Sequence, residues 1–202
     1  GVPLAPYNAQ AGALVTNYNA FPLRFERAGG GVRAVPELAP PGFVLDSALT
    51  PEPGDCEQWR DDLALTPLGG GALRLEGPFP EGCGERVRAF NLFPPEVTFD
   101  YLFRALWAEG GGGIVRVTES GAAPERAPDL EFVSPPLAEA LRAQNKYSNN
   151  VMTRNLFLSL GAARFGAPAR PDKGERAVRE ALARHGLPLA KLVVDNGAGL
   201  SR

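Results

Sequence analysis

The sequence predicts an α+β protein in which a mostly β region, residues 1–131, precedes a mainly helical region, residues 132–202. Short apolar runs bounded by glycine or proline dominate the first 90 residues, as is typical of strands between turns. Apolar residues then recur every three to four positions, which is the period of an amphipathic helix. With 44% apolar residues, the chain can form a core, and its 24 glycines and 20 prolines predict many turns.

The mostly β region begins with two apolar runs, 11–17 and 20–27, which predict a β-hairpin with its turn at 17–19. The next stretch, 36–60, contains five prolines and no sustained period. It is therefore predicted to be a long connection. Three further strands are predicted downstream, each bounded by glycine or proline: 61–65, 72–76 and 85–90.

A helix is predicted at 94–109, because Pro94-Pro95 favours a helix start and the glycines at 110–113 favour its end. Its apolar residues share one face, which is predicted to lie in the core: Phe99, Leu102, Phe103, Leu106 and Trp107. The four glycines lack the Lys-Ser/Thr pair of a phosphate-binding loop. A strand is predicted to follow at 114–117.

Three helices are predicted in the second region. The first begins after the Ser-Pro-Pro at 134–136, the second spans 149–163, and the third ends at 185–186. In the third helix, Asp172 and Glu175 have the spacing of a capping box. The chain is then predicted to form a buried strand and a glycine-containing turn, at 192–194 and 195–199.

Composition argues against several classes of function. The net charge of −2 and the lack of a basic stripe argue against a nucleic-acid partner. No apolar run approaches the roughly 20 residues that span a bilayer. The single histidine, His185, makes a Ser-His-Asp triad improbable, and Gly197-Ala198-Gly199 has no third glycine for a dinucleotide-binding motif.

The two cysteines, Cys56 and Cys83, both lie in turn-like segments and are 27 positions apart. An even number of cysteines in loops predicts a disulfide, and with it an oxidising compartment. Two unrelated free thiols are the alternative. A structural zinc site is the poorer interpretation, because two cysteines and one histidine do not complete its four ligands.

Ser148 and Asn150 are the candidate functional residues, since they lie two positions apart in a loop between two predicted helices. Both polar groups can therefore face one cleft. On spacing alone, the simpler interpretation is that Ser148 caps the following helix.

Three segments of the second region, read together, point to one family: KYSNNVM at 146–152, LGAARFG at 160–166 and VDNGAGLSR at 194–202. They resemble the class C low-molecular-mass penicillin-binding proteins, which are periplasmic serine-type D-alanyl-D-alanine carboxypeptidases and endopeptidases of the S13 type. The resemblance is close over 144–202. It is looser upstream, where 13–19 and 73–83 look like the accessory region inserted in that family. It implies that 132–202 is part of the helical side of a penicillin-binding transpeptidase/β-lactamase-like domain.

The chemistry of that family uses three motifs, Ser-x-x-Lys, Ser-x-Asn and Lys-Thr-Gly. The resemblance implies that Ser148 and Asn150 form the second motif. Ser148 would relay a proton between the catalytic lysine and the leaving amine, and Asn150 would hold the peptide carbonyl of the substrate. Peptidoglycan peptides and β-lactams are the implied partners of the intact protein, and no cofactor or metal is implied. Residues 195–202 match a family signature but are assigned no catalytic step.

The other two motifs are missing from the chain. None of its six serines is followed three positions later by lysine, and no lysine precedes Thr-Gly. The chain is therefore expected to be an internal fragment of a periplasmic enzyme and to be inactive alone. A sheet cut in this way would expose apolar surface, so a homodimer is a further expectation.

Two alternatives from other classes remain open at this point. The first is a non-catalytic, peptidoglycan-associated or scaffolding module that keeps the Ser148/Asn150 signature without an active serine. The second is an unrelated intracellular β-rich binding domain, which reduced cysteines would favour. The preference between carboxypeptidase and endopeptidase activity also stays open.

Overall fold

The computed structural model of the chain describes residues 4–57, 59–69, 71–113, 121 and 125–199. These residues contain strands in the first part and helices from residue 95 onward, so the predicted α+β class is confirmed. The chain divides into two compact units, Gly1–Ala9 with Leu14–Glu119 and Gln10–Ala13 with Ser120–Arg202. Among the described helices, none is long and apolar enough to cross a membrane.

The first sheet has three antiparallel strands in the order β2-β1-β6: β1 (Phe21–Ala28), β2 (Gly31–Pro36) and β6 (Arg86–Phe90). The predicted hairpin is wrong, because β1 pairs with β2 and not with residues 11–17. Gly29 and Gly30 connect β1 to β2 with φ angles of 58° and 82°. This is the backbone that a tight two-residue hairpin turn requires, and glycine adopts it without strain.

Residues 17–19, predicted as the hairpin turn, form a short 3₁₀ turn whose three residues all have positive φ. Asn19 is buried, and its Nδ2 donates to Asn91 Oδ1 at 2.6 Å and to the Phe93 carbonyl at 2.7 Å. These hydrogen bonds fix the entry to β1 beside the exit from β6. Residues 11–16 form no strand.

The second sheet has the order β3-β5-β4: β3 (Leu45–Glu52), β4 (Ala64–Gly69) and β5 (Ala72–Pro80). The central strand β5 runs parallel to β3 and antiparallel to β4. The prediction of a long connection over 36–60 is therefore wrong at residues 45–52, which form strand β3. Pro51 is tolerated there because β3 is an edge strand, where a missing N–H leaves no central ladder unpaired. The strand predicted at 61–65 begins later, because residues 59–62 form a 3₁₀ turn.

Both sheets contribute to one apolar core in the first unit. Its buried members are Phe21, Leu23, Phe25, Val32, Ala34, Trp59, Leu63, Leu75, Phe79, Cys83 and Phe90. The Phe25 ring stacks on Phe79 at a centroid distance of 5.6 Å and meets Trp59 edge-on at 4.7 Å. The Ala34 amide also donates to Ser47 Oγ at 2.8 Å, which links β2 to β3.

A disulfide joins Cys56 to Cys83, with their Cα atoms 5.4 Å apart. Cys83 is buried in the core, and Trp59 Nε1 donates to the Cys56 carbonyl at 3.2 Å. The bond therefore closes a 27-residue separation directly beside the aromatic cluster of Phe25, Trp59 and Phe79.

Replacing both cysteines by serine is expected to lower the free energy of unfolding of the first unit by about 3 kcal/mol, because the unfolded chain regains the freedom of that loop. The measurement is urea denaturation followed by Trp59 fluorescence in a Trp107→Phe background. Reduction of the unsubstituted cysteines should have the same effect. Equal transition midpoints with and without reductant would contradict the prediction.

Helix α1 (Pro95–Glu109) confirms the helix predicted at 94–109, and it ends where the Gly110 amide donates to the Leu106 carbonyl at 2.9 Å. The predicted core face is wrong, except for Leu102. Four of its members are 39% to 57% exposed: Phe99, Phe103, Leu106 and Trp107. The buried face is instead Pro95, Thr98, Leu102 and Ala105. Tyr101 packs on Phe43 and Phe93, with centroids at 5.6 and 4.9 Å, and helps to orient that face inward.

The second unit contains three helices: α2 (Leu137–Tyr147), α3 (Asn150–Phe165) and α4 (Pro171–Arg184). All three were predicted, but the capping box is wrong: Arg170 precedes α4, and Asp172 accepts from Arg170 Nε at 2.9 Å within the first turn. The strand at 192–194 is also wrong. Val193 is 88% exposed, and no described strand lies beside this segment to pair with it. The predicted strand at 114–117 lies outside the described residues.

Helices α3 and α4 pack against each other through small residues, with one surface ion pair between the two helices and a second within α4. Arg164 Nε lies 3.0 Å from Glu180 Oε2, and Arg176 lies 3.4 Å from the other oxygen of the same carboxylate. The Arg164 hydrogen bond holds the pKa of Glu180 below its ordinary value, and Arg170 does the same to the pKa of Asp172. Exposed pairs of this kind contribute little to stability, so the buried contacts of Phe157 decide the packing.

Candidate functional site

The turn between α2 and α3 contains both predicted site residues. Helix α2 ends at Tyr147 and α3 begins at Asn150, so only two residues separate the helices. Ser148 adopts the left-handed conformation, with φ 52° and ψ 48°. A non-glycine residue pays roughly 1–2 kcal/mol for this backbone. Contacts around the turn must therefore hold it.

Asn149, and not Ser148, caps helix α3. Its side-chain Oδ1 accepts from the Met152 amide at 3.0 Å. The interpretation that Ser148 caps the following helix is therefore wrong. Because Asn149 satisfies the amide at the start of α3, the Ser148 hydroxyl is left for other interactions.

The side chains of Ser148 and Asn150 are both open to interaction. Ser148 is exposed and Asn150 is half-buried, and neither side chain is hydrogen-bonded to another described residue. A hydroxyl can donate and accept a proton, whereas an amide can hold a carbonyl through its NH₂ group. The two groups lie at the N-terminus of α3, where the helix dipole favours negative charge. Such a pair can relay a proton and orient an acyl group.

Two polar residues that the sequence analysis did not single out, Gln144 and Thr153, bracket this turn. The Gln144 carbonyl accepts from the amides of Ser148 and Asn149, and its side-chain Nε2 donates to Thr153 Oγ1 at 2.5 Å. The available signal was one polar side chain in the last turn of α2 and another in the first turn of α3. Helical periodicity gives no relation between positions in two separate helices, so it could not identify the pair.

The turn at 195–199 packs against the helix that carries Asn150. Asn196 Oδ1 accepts from the Ala198 amide at 3.0 Å. A Cβ at Gly197 would lie 2.8 Å from the Phe157 Cβ on α3. The predicted turn is confirmed, and it contacts α3. Residues 200–202 lie outside the described residues.

Among the described residues, neither a metal-binding group nor a lysine partner for Ser148 is evident at this turn. Within the described ranges, no three His, Cys, Asp or Glu side chains are grouped as a metal site would require. Lys146 lies beside the turn, but its Nζ is 5.5 Å from the centroid of its neighbour Tyr147, over the ring face. The site that these residues form is an exposed hydroxyl and an amide on a fixed turn.

Comparison with known proteins supplies the family context of this geometry. The model of the D-Ala-D-Ala carboxypeptidase 3 (S13) family matches residues 4–202. No curated protein sequence matches the chain.

Two crystal structures of penicillin-binding protein 4 from Haemophilus influenzae are similar to the chain, one of them in complex with a β-lactam. The complex is 18% identical with a TM-score of 0.69, and the second structure is 17% identical with a TM-score of 0.68. The similarity covers 97% and 98% of this chain but only 45% and 44% of the two solved chains. The sequence thus spans less than half of those proteins, and at this identity the likeness shows a shared fold.

Proposed function

The chain belongs to the D-Ala-D-Ala carboxypeptidase 3 (S13) family, and from this membership we propose that it carries the Ser-x-Asn part of a serine-type D-Ala-D-Ala carboxypeptidase or endopeptidase. Residues 1–131 are proposed to be the accessory region, and residues 132–202 part of the peptidase domain. The nucleophilic Ser-x-x-Lys and the Lys-Thr-Gly motif are proposed to lie elsewhere in the full-length protein, meaning the product of the complete gene. The disulfide supports a periplasmic location, where such bonds persist.

The observation that carries the proposal is the arrangement of the turn at 148–150. Ser148 presents its hydroxyl from a left-handed residue, Asn149 is occupied as the helix cap, and the Asn150 amide is unpaired among the described residues. A Ser-x-Asn motif used for acyl transfer needs the first and third side chains free and the middle residue structural. This turn supplies that division of roles.

The proposed reaction has two steps. The nucleophilic serine of the full-length protein passes its proton to the catalytic lysine and attacks the carbonyl between the last two D-alanines of a peptidoglycan peptide, and the peptide C–N bond breaks to leave an acyl-enzyme. The departing amine takes a proton, which Ser148 relays from the catalytic lysine, while Asn150 holds the carbonyl of the substrate peptide. Water then attacks the ester, and the regenerated serine and the shortened peptide separate. A β-lactam would acylate the same serine, because its ring amide would take the place of the scissile peptide bond.

A second candidate is a non-catalytic peptidoglycan-associated or scaffolding module. It is favoured by the lack of both Ser-x-x-Lys and Lys-Thr-Gly among the 202 residues. Under this alternative the turn at 148–150 would be retained for its fold alone. The two candidates differ in whether the full-length protein forms a covalent acyl-enzyme.

Labelling with fluorescent penicillin, read on denaturing gels, separates the candidates. It should be run on this chain and on the full-length protein, with excess unlabelled penicillin as the competitor control. We expect adduct on the full-length protein only. Adduct on neither would support the scaffolding module, and adduct on this chain would show that its nucleophile had been overlooked. Release of free D-alanine against cleavage of a cross-linked peptide into its two halves then distinguishes carboxypeptidase from endopeptidase activity.

A further inference from the structure

We propose that Gln144 and Thr153 are positioning residues that lock the Ser148–Asn150 turn through a hydrogen bond between their side chains. This inference rests on the proposed function of that turn. Gln144 lies in the last turn of α2 and Thr153 in the first turn of α3. Their bond therefore ties together the two helices on either side of Ser148.

The distances describe a continuous link around the turn. Gln144 Nε2 donates to Thr153 Oγ1 at 2.5 Å, and this hydroxyl donates in turn to the Asn149 carbonyl at 2.9 Å. The same carbonyl accepts from the Thr153 amide at 3.0 Å. The Asn149 amide completes the link by donating to the Gln144 carbonyl at 3.1 Å. Gln144 thus holds the turn with its backbone and with its side chain.

The chemistry of the groups fixes the direction of each bond. A threonine hydroxyl has one proton, and the carbonyl of Asn149 can only accept, so Thr153 must donate to Asn149. Its oxygen then has lone pairs for an incoming donor, which must be the NH₂ of Gln144 and not its carbonyl. The link is fully satisfied only with this orientation. A hydrocarbon at position 153 would leave the half-buried Gln144 amide without this partner, and one at position 144 would leave the Thr153 hydroxyl bonded only to the Asn149 carbonyl.

The lock is needed because Ser148 has a left-handed backbone, which L-residues with a Cβ disfavour. Without the link, Ser148 can relax toward extended or right-handed backbone, and the hydroxyl then leaves its position beside Asn150. Small displacements of a proton-transfer group are costly to an acyl-transfer reaction. Gln144 and Thr153 therefore act on the reaction through Ser148 and do not touch the substrate.

The first test measures the turn itself in this chain. Thr153→Val keeps the shape and the β-branch but removes the hydroxyl, whereas Thr153→Ser keeps the hydroxyl. We expect Thr153→Val to shift the Ser148 Cα and Cβ resonances away from their left-handed values and to speed amide exchange at Asn149 and Thr153 roughly 5- to 100-fold. Thr153→Ser should leave both unchanged. Unchanged Ser148 resonances and exchange in Thr153→Val would overturn the lock.

The second test measures acylation of the full-length protein by fluorescent penicillin as a function of penicillin concentration. We expect Thr153→Val and Gln144→Met each to lower the limiting acylation rate about 10-fold, with less than a twofold change in half-saturating concentration. Thr153→Ser should restore the rate. The double variant should be no slower than the slower single variant, since both remove one link. Ser159→Ala, which removes an exposed hydroxyl from the same helix, is the control.

The two tests keep this inference separate from the proposed function. If the unsubstituted full-length protein takes no label, the proposed function fails and the positioning role in acyl transfer fails with it, while the resonances of Ser148 still decide whether the lock exists. If the protein is labelled and Thr153→Val reacts at the unsubstituted rate, only the positioning role is overturned.

Discussion

Replacing Ser148 by alanine in the full-length protein is expected to slow its acylation by fluorescent penicillin by about 100-fold or more. Positioned proton transfer contributes roughly 10²–10⁴-fold to such reactions, and the Ser148 hydroxyl is the group that the proposed mechanism uses for it. Asn149 already caps α3 through Met152. Loss of the Ser148 hydroxyl should therefore leave helix α3 intact and remove the proton relay. The melting temperature should change by only a few degrees.

The left-handed backbone of Ser148 requires a second variant at the same position. Ser148→Gly also removes the hydroxyl, but glycine adopts this backbone without strain. If the hydroxyl is what matters, alanine and glycine should slow acylation equally, whereas Ser159→Ala should not slow it. A glycine variant that reacts as fast as the unsubstituted protein would contradict the proton-relay role and show that the backbone alone is required.

Helices were predictable from this sequence because each has its own periodic signal and its own start and stop residues. The β-hairpin was misassigned for a local reason. Gly29-Gly30 after β1 is the stronger turn signal, but the apolar run at 11–17 was predicted to be the strand that pairs with β1. β3 was missed because prolines before, within and after it suggested a loop. At the edge of a sheet, however, a proline is tolerated, and sequence alone does not tell an edge from a centre.

The core face of α1 shows a different limit. Its apolar residues cover more than half of the helix circumference, so periodicity identifies the helix but not the buried side. Contact of Tyr101 with Phe43 and Phe93 helps to decide the side, and Phe43 is distant from the helix in sequence. The segment at 192–194 failed for a related reason, because a strand exists only where another strand pairs with it.

The candidate site also has features that the sequence could predict and features that it could not. The motif at 148–150 was found through family resemblance, and its spacing alone favoured a helix cap. The structure assigns that cap to Asn149. No sequence pattern predicts the left-handed Ser148 or the bond between Gln144 and Thr153, because both depend on how two helices meet at one turn.

Gly161 on α3 is the position where a single added side chain should most disrupt the second unit. It is buried, and a Cβ there would lie 2.5 Å from the Gly174 amide nitrogen and 2.8 Å from the Lys173 carbonyl carbon of α4. Gly174 is constrained in turn, since its Cβ would lie 2.8 Å from the Phe157 ring. The atoms in the way at Gly161 are backbone, which no side-chain rotation can move aside. Helices α3 and α4 must therefore separate if Gly161 is enlarged.

Gly161→Val is accordingly expected to lower the free energy of unfolding of the second unit by more than about 3 kcal/mol, at the upper end of overpacking effects. Gly161→Ala should cost less, because alanine is favoured over glycine in a helix by about 1 kcal/mol, which offsets part of the clash. Circular dichroism during urea denaturation measures both. Ala163→Val is the matched control, since Ala163 is exposed on the same helix and valine there changes only the helix propensity.

The consequence for function follows from the position of Asn150 at the start of α3. A displaced α3 moves Asn150 relative to Ser148 and disturbs the packing of Phe157 against Gly197 in the turn at 195–199. Penicillin labelling of the full-length Gly161→Val variant should therefore fall together with its stability. Ala163→Val should keep both. Full stability and full labelling in Gly161→Val would mean that α3 and α4 do not approach as closely as Gly161 and Gly174 indicate.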